Sequence, residues 1–117
     1  MAVRLIVGVE ALVFDLAATL HAGVLLHGYE HIRARNAEGV ITAVLLVGLC
    51  LTAVAPRHLR PIAFGAQGFA LLGTLVGLLM IAIGVGPHSI LDLVLHATML
   101  TLLVTGLVVA RRTTASA

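Results

Sequence analysis

The stretch AEGVITAVLLVGLCLTAVA, residues 37–55, decides the reading of this chain. After Glu38 it carries no charge, and its length matches the ~20 residues a helix needs to cross a hydrocarbon core. It shows no period-two alternation of the kind a barrel strand requires. A backbone in lipid must satisfy its own polar groups, so the stretch reads as a helix. Three comparable apolar runs flank it, at about 5–27, 62–85 and 90–110. The whole chain of 117 residues agrees, with 61% hydrophobic and 10% charged residues and a mean hydropathy of +1.17. A soluble domain is typically about half apolar and a quarter charged. The fold class expected is therefore all-α, an integral membrane up-down-up-down four-helix bundle forming one domain over residues 1–117.

The connections carry their own signals. Asn36 is expected to cap the second helix, with Glu38 in its first turn, where the helix dipole favours an anion. Pro56 closes that helix, and Pro61 suits the first turn of the third. Gly84, Gly86 and Pro87 stop the third helix, and Ser89 with Asp92 makes an S-x-x-D capping box for the fourth. Arg4 followed by Leu-Ile-Val fits the start of a signal peptide, but Glu10 and Asp15 interrupt the apolar run and no cleavage site follows, so a mature helix is expected.

Arginine supplies the net charge of +2, and there is no lysine. Arg4, Arg57, Arg60, Arg111 and Arg112 fall on one side and Arg33 and Arg35 on the other, which favours both termini in the cytoplasm. Scattered arginines of this kind do not form the stripe a nucleic-acid binder uses. Cys50 excludes an internal disulfide and reads as a small buried side chain. Tyr29 is the one candidate aromatic anchor.

Ionisable residues are distributed unevenly. His21, His27, His31, His88 and His96, with Glu30, Glu38 and Asp92, fall in the outer half, whereas Glu10, Asp15 and His58 do not. Ionisable groups inside a membrane segment are costly and read by default as functional. If the first helix runs to residue 27, His21 lies roughly 9–10 Å inside its outer end, matching His96 at roughly 10 Å on the fourth helix, at 1.5 Å per residue. Asp92 and His96 are four apart and share a face, as do Glu10 and His21, with Asp15 on another side.

Imidazole and carboxylate groups converging from several helices suit a divalent transition metal, with His21, His96, Asp92, Glu38, Glu30 and His31 as candidate ligands. His21 and His96 would alternatively ligate one haem b. A chain of such groups also suits a proton or cation path, with Glu10 and Asp15 as its inner members. A third function class is a structural or accessory subunit of a membrane complex.

Each residue also has a plainer explanation. Asp92 belongs to a capping box, and Glu38 to a first turn. Glu30, His31, Arg33 and Arg35 read as a solvated loop, and His27, His88 and His58 as interfacial or loop residues. His21 and His96 would serve as interhelical glue if Thr19, Thr98 or Thr101 faced them. Gly73 and Gly77 form a GxxxG pair for close packing, inside the bundle or at a homodimer seam. No nucleophile–base pair is legible, so an ordinary hydrolase is not expected.

The segment Gly84-x-Gly86-Pro87 followed by Asp92-x-x-x-His96, taken with Glu30-His31, Ala37-Glu38 and His21, resembles a group of small bacterial four-helix integral membrane proteins. It is more distantly similar to DoxX-type four-helix proteins and to four-helix di-haem cytochromes. The resemblance implies a four-helix fold in a bacterial plasma membrane and brings no activity with it. The chain departs from the di-haem proteins in being shorter and in lacking a pair of deep histidines near each face.

Overall fold

The computed structural model describes residues 1–114. Four helices account for most of them: α1 (Ala2–His21), α2 (Ile32–Val54), α3 (Leu59–Ala82) and α4 (Ile90–Arg112). A short 3-10 turn, Pro56–His58, leads into α3. No strand occurs among the described residues. Three segments, Ile32–Val54, Pro56–Ala82 and Ile90–Arg112, are long and apolar enough to cross a membrane. The 20 residues of α1 give it a length of about 30 Å at 1.5 Å per residue, but it carries Arg4, Glu10 and Asp15.

Two helix limits differ from the sequence expectation by five residues or more. Helix α1 stops at His21 and not near residue 27. Gly23 adopts φ +76°; its N–H bonds Leu20 O, and Val24 N–H bonds Thr19 O. This pair is a Schellman stop, which a left-handed glycine permits. The apolar run Val24-Leu25-Leu26 concealed it, and those three side chains lie exposed in the following connection. Helix α2 begins five residues early. His31, not Asn36, is its N-cap, with Nδ1 accepting from Ala34 N–H at 3.2 Å. Asn36 lies inside the helix and accepts from the Arg35 guanidinium.

The other termini follow their signals. Gly84, at φ +81°, closes α3 with the same pair of bonds, from Gly84 N–H to Ile81 O and from Val85 N–H to Met80 O. Ser89 and Asp92 form the expected reciprocal capping box at the start of α4. At the opposite end of the molecule, the Arg4 guanidinium donates to Thr52 O and ties the start of α1 to the last turn of α2.

Helix α1 packs on α2 and α4, and α3 packs on the same two; α1 and α3 barely touch. The interior is rich in small residues: Ala11, Ala17, Ala63, Ala66, Ala70 and Ala110 are all buried. Small side chains let helix backbones approach where lipid tails offer no hydrophobic advantage. Leucines and valines such as Val47, Leu72, Leu79, Val94 and Val104 face outward, a surface suited to hydrocarbon and not to water. Cys50 belongs to this exposed surface and not to the interior. Gly73 and Gly77 face neighbours within the chain: a Cβ on Gly73 would meet Ile41, and one on Gly77 would meet His96 Nε2.

Candidate functional site

At the end of the helices that bears the 22–31 and 83–89 connections, three ionisable side chains from three helices meet. His21 Nδ1 lies 2.7 Å from Glu38 Oε2, and His21 Nε2 lies 2.8 Å from Asp92 Oδ1. His21 is 2% exposed, and Glu38 and Asp92 are also buried. Carboxylates only accept when ionised, so two such bonds require two protons on the N···O lines. An imidazolium between two carboxylates satisfies this, with a net charge of −1 for the group.

Local structure explains how each member is held. His21 is the last residue of α1, so its burial comes from the connection folding over it and not from depth within a longer helix. His31 N–H donates to His21 O at 2.9 Å, and the His31 ring stands edge-on to the His21 ring, 6.4 Å between centroids. Glu38 lies two turns inside α2 because that helix starts at Ile32. The first-turn dipole explanation for its carboxylate therefore does not apply.

Asp92 serves two partners at once. Its Oδ2 accepts from Ser89 N–H and Ser89 Oγ as part of the capping box, while Oδ1 meets His21. The capping explanation and the site explanation, which look like alternatives in the sequence, use different oxygens of one carboxylate.

The remaining candidates are placed as follows. His96, 7% exposed, has its Nδ1 2.8 Å from Asp92 O, one turn back in its own helix. A carbonyl oxygen only accepts, so Nδ1 carries a proton, and in the neutral ring Nε2 holds the lone pair. His96 is thus a neighbour of the triad through Asp92 but does not bond His21. Thr19, Thr98 and Thr101 do not serve as partners for either histidine, because each hydroxyl donates to a carbonyl of its own helix. Glu30 lies in the exposed connection, where its Oε2 accepts from Gly28 N–H at 2.8 Å. Backbone N–H groups of Glu30 itself and of Gly28 hold its carboxyl below the usual glutamate range.

Glu10 forms a second buried polar centre, toward the chain termini. Gln67 Nε2 donates to Glu10 Oε1 at 3.0 Å and to Oε2 at 3.1 Å. Gly106 makes room for the pair, since a Cβ there would collide with both side chains. Sequence reading did not connect these residues; the signal was Gln67, the lone amide in an apolar helix. Phe14, Leu45, Met99 and Leu103, each no more than 1% exposed, fill the interior between this pair and the triad. Asp15 is exposed on the far side of α1, away from both centres.

A cleft of about 210 Å³ adjoins the triad between α2, α3 and the 83–89 connection. Glu38 and His96 both contribute to its wall. Among the described residues, no protein group donates to Glu38 Oε1. No group of at least three metal-ligating side chains has the geometry of a metal site among the described residues. No protein-family model, curated protein or solved structure matches this chain.

Proposed function

We propose that this chain is a proton-coupled membrane protein, a four-pass up-down-up-down bundle with both termini in the cytoplasm, whose His21–Glu38–Asp92 triad takes up and releases a proton at the outer end. The observation that carries this reading is the engagement of both His21 nitrogens by carboxylates from two other helices. Loss of one proton leaves a neutral imidazole with a single N–H, which can hold only one of the two carboxylates. Asp92 keeps its Ser89 donors, whereas the Glu38 carboxylate has no other protein donor. Deprotonation therefore releases Glu38 and, with it, the outer part of α2. The apolar layer of Phe14, Leu45, Met99 and Leu103 interrupts the interior below the triad, so the arrangement suits a switched proton site and not an open channel.

A divalent metal is the second reading, favoured by the convergence of one imidazole and two carboxylates. Metal on one ring nitrogen would have to displace the carboxylate there, because a ligating nitrogen needs its lone pair. One haem b fits less well, since His21 has no free nitrogen for an axial bond.

The test is hydrogen exchange of the protein in nanodiscs as a function of pH. Protection factors over residues 32–45, which remove the intrinsic rise of amide exchange with pH, should fall as pH rises and the triad loses its proton. The His21→Gln variant should show no such pH response. An unchanged response in that variant would rule out the triad as the proton site. Stoichiometric metal in the purified protein, whose removal alone loosens α2, would favour the metal reading instead.

A further inference from the structure

The cleft beside the triad has a chemistry that the proton reading does not use. Apolar side chains, Phe14, Ile41, Met80 and Met99 among them, make most of its walls, alongside His31, Arg33, Glu38 and His96. A hydrogen-bond acceptor, His96 Nε2, reaches this space. The His96 ring is anchored through Nδ1 to Asp92 O, and Nε2 projects over Gly77 of α3, where a Cβ would stand 2.9 Å from it. His96 is more than nine-tenths buried, yet Nε2 has no protein partner among the described residues and is not sealed within the protein interior. The hydroxyl of Thr74, also on the wall, donates its proton to Ala70 O and is left as a weaker, neutral acceptor. The inner wall thus presents a lone pair on His96 and a carboxylate oxygen on Glu38, both suited to receive a donor.

Size narrows the ligand. A dry apolar cavity of about 150 Å³ accommodates benzene. The present cleft, at about 210 Å³, accommodates one ring with a short substituent. Methionine sulfur packs favourably against aromatic edges, and Met80 and Met99 lie on the wall with Phe14. We propose that this cleft binds a small phenol, with its ring among Met80, Met99 and Phe14 and its hydroxyl donating to His96 Nε2. The inference shares the Glu38 wall with the proton site but does not require the triad to exchange protons.

Matched probes test it: 4-propylphenol and propylbenzene, titrated at one pH into the full chain in nanodiscs. The phenol should bind saturably and about five- to tenfold more tightly than propylbenzene, the factor expected for one net hydrogen bond of roughly 1 kcal/mol. The ¹⁵N resonance of His96 Nε2 should shift with the phenol and not with propylbenzene. His96→Leu should abolish the preference, and Ala37→Trp, an addition at an exposed position on the cleft wall, should abolish saturable binding of both. Equal affinities in the unaltered chain, a silent His96 resonance or binding that ignores Ala37→Trp would overturn the proposal. Absence of saturable binding, as when lipid chains occupy the cleft, would overturn it too. Because pH is held constant, failure here leaves the pH response of α2 untouched, and loss of that response leaves phenol binding untouched.

Discussion

His21 is the residue on which the outer end of the structure depends. Its two nitrogens join α1 to α2 and α4 through Glu38 and Asp92. Removing one member of a buried ionic group strands the others, at about 3–5 kcal/mol, whereas replacing the whole group with apolar side chains is often neutral or stabilising. His21→Leu alone should therefore destabilise the protein by about 3–5 kcal/mol in reversible unfolding from detergent micelles. The triple variant His21→Leu/Glu38→Leu/Asp92→Asn should recover most of that loss, with the Asn keeping an acceptor for the Ser89 cap. A triple variant as unstable as the single one would show that His21 acts through packing and not through its carboxylates. The sequence identifies all three residues as candidates by type and position. It does not reveal that His21 faces both acids while His96 turns to its own backbone, because rotamers are set by what surrounds them.

At the scale of elements, the connection after α1 positions the site. The Schellman stop at Gly23 turns the chain, Glu30 braces the loop by accepting from Gly28 N–H, and His31 returns to bond His21 O. The Glu30 carboxyl is held below its usual range by its own backbone N–H and that of Gly28. Its bracing contribution is therefore present above the ordinary glutamate value of about 4.3 and is lost only as pH falls through the lower folded value. The Gly28 amide proton resonance should titrate with a midpoint below about 4.3, and Glu30→Gln should remove that titration. A midpoint at or above the ordinary value would mean that the brace does not form. The sequence contained the correct stop signal in Gly23, but the hydrophobic run beyond it outweighed a single glycine. The early start of α2 was illegible for a related reason: histidine is an unusual cap, and Asn36 offered a better one by residue type.

At the scale of the whole molecule, the proposed topology places Glu30 and Thr114, which follows α4, on opposite sides of the membrane. In a Cys50→Ser background, Glu30→Cys should react with an impermeant thiol reagent added outside intact cells. Thr114→Cys should react only after permeabilisation. Labelling of both from the same side would overturn an even number of crossings with cytoplasmic termini. Asp15 bears on the same question. On that proposed topology α1 crosses the membrane, where an aspartate at a helix centre would cost about 2.5–3.5 kcal/mol on insertion scales, and Asp15 is exposed in one chain with no interior partner among the described residues. The GxxxG pair, by contrast, is occupied within the chain by Ile41 and His96, which accounts for both glycines without a second copy.

Composition and apolar run length were enough to determine an all-helical chain with segments able to cross a membrane, because the cost of an unsatisfied backbone in lipid leaves few alternatives. The capping box and the glycine stop after α3 were equally legible, since these are contacts between residues close in sequence. The triad, the Glu10–Gln67 pair and the cleft under His96 were decided only by tertiary structure. Each joins side chains from helices far apart in the chain, and the rotation of each helix about its own axis settles which of them meet. That rotation depends on the fit of small residues such as Gly77 and Gly106 against particular neighbours, and no local pattern of residue types encodes it.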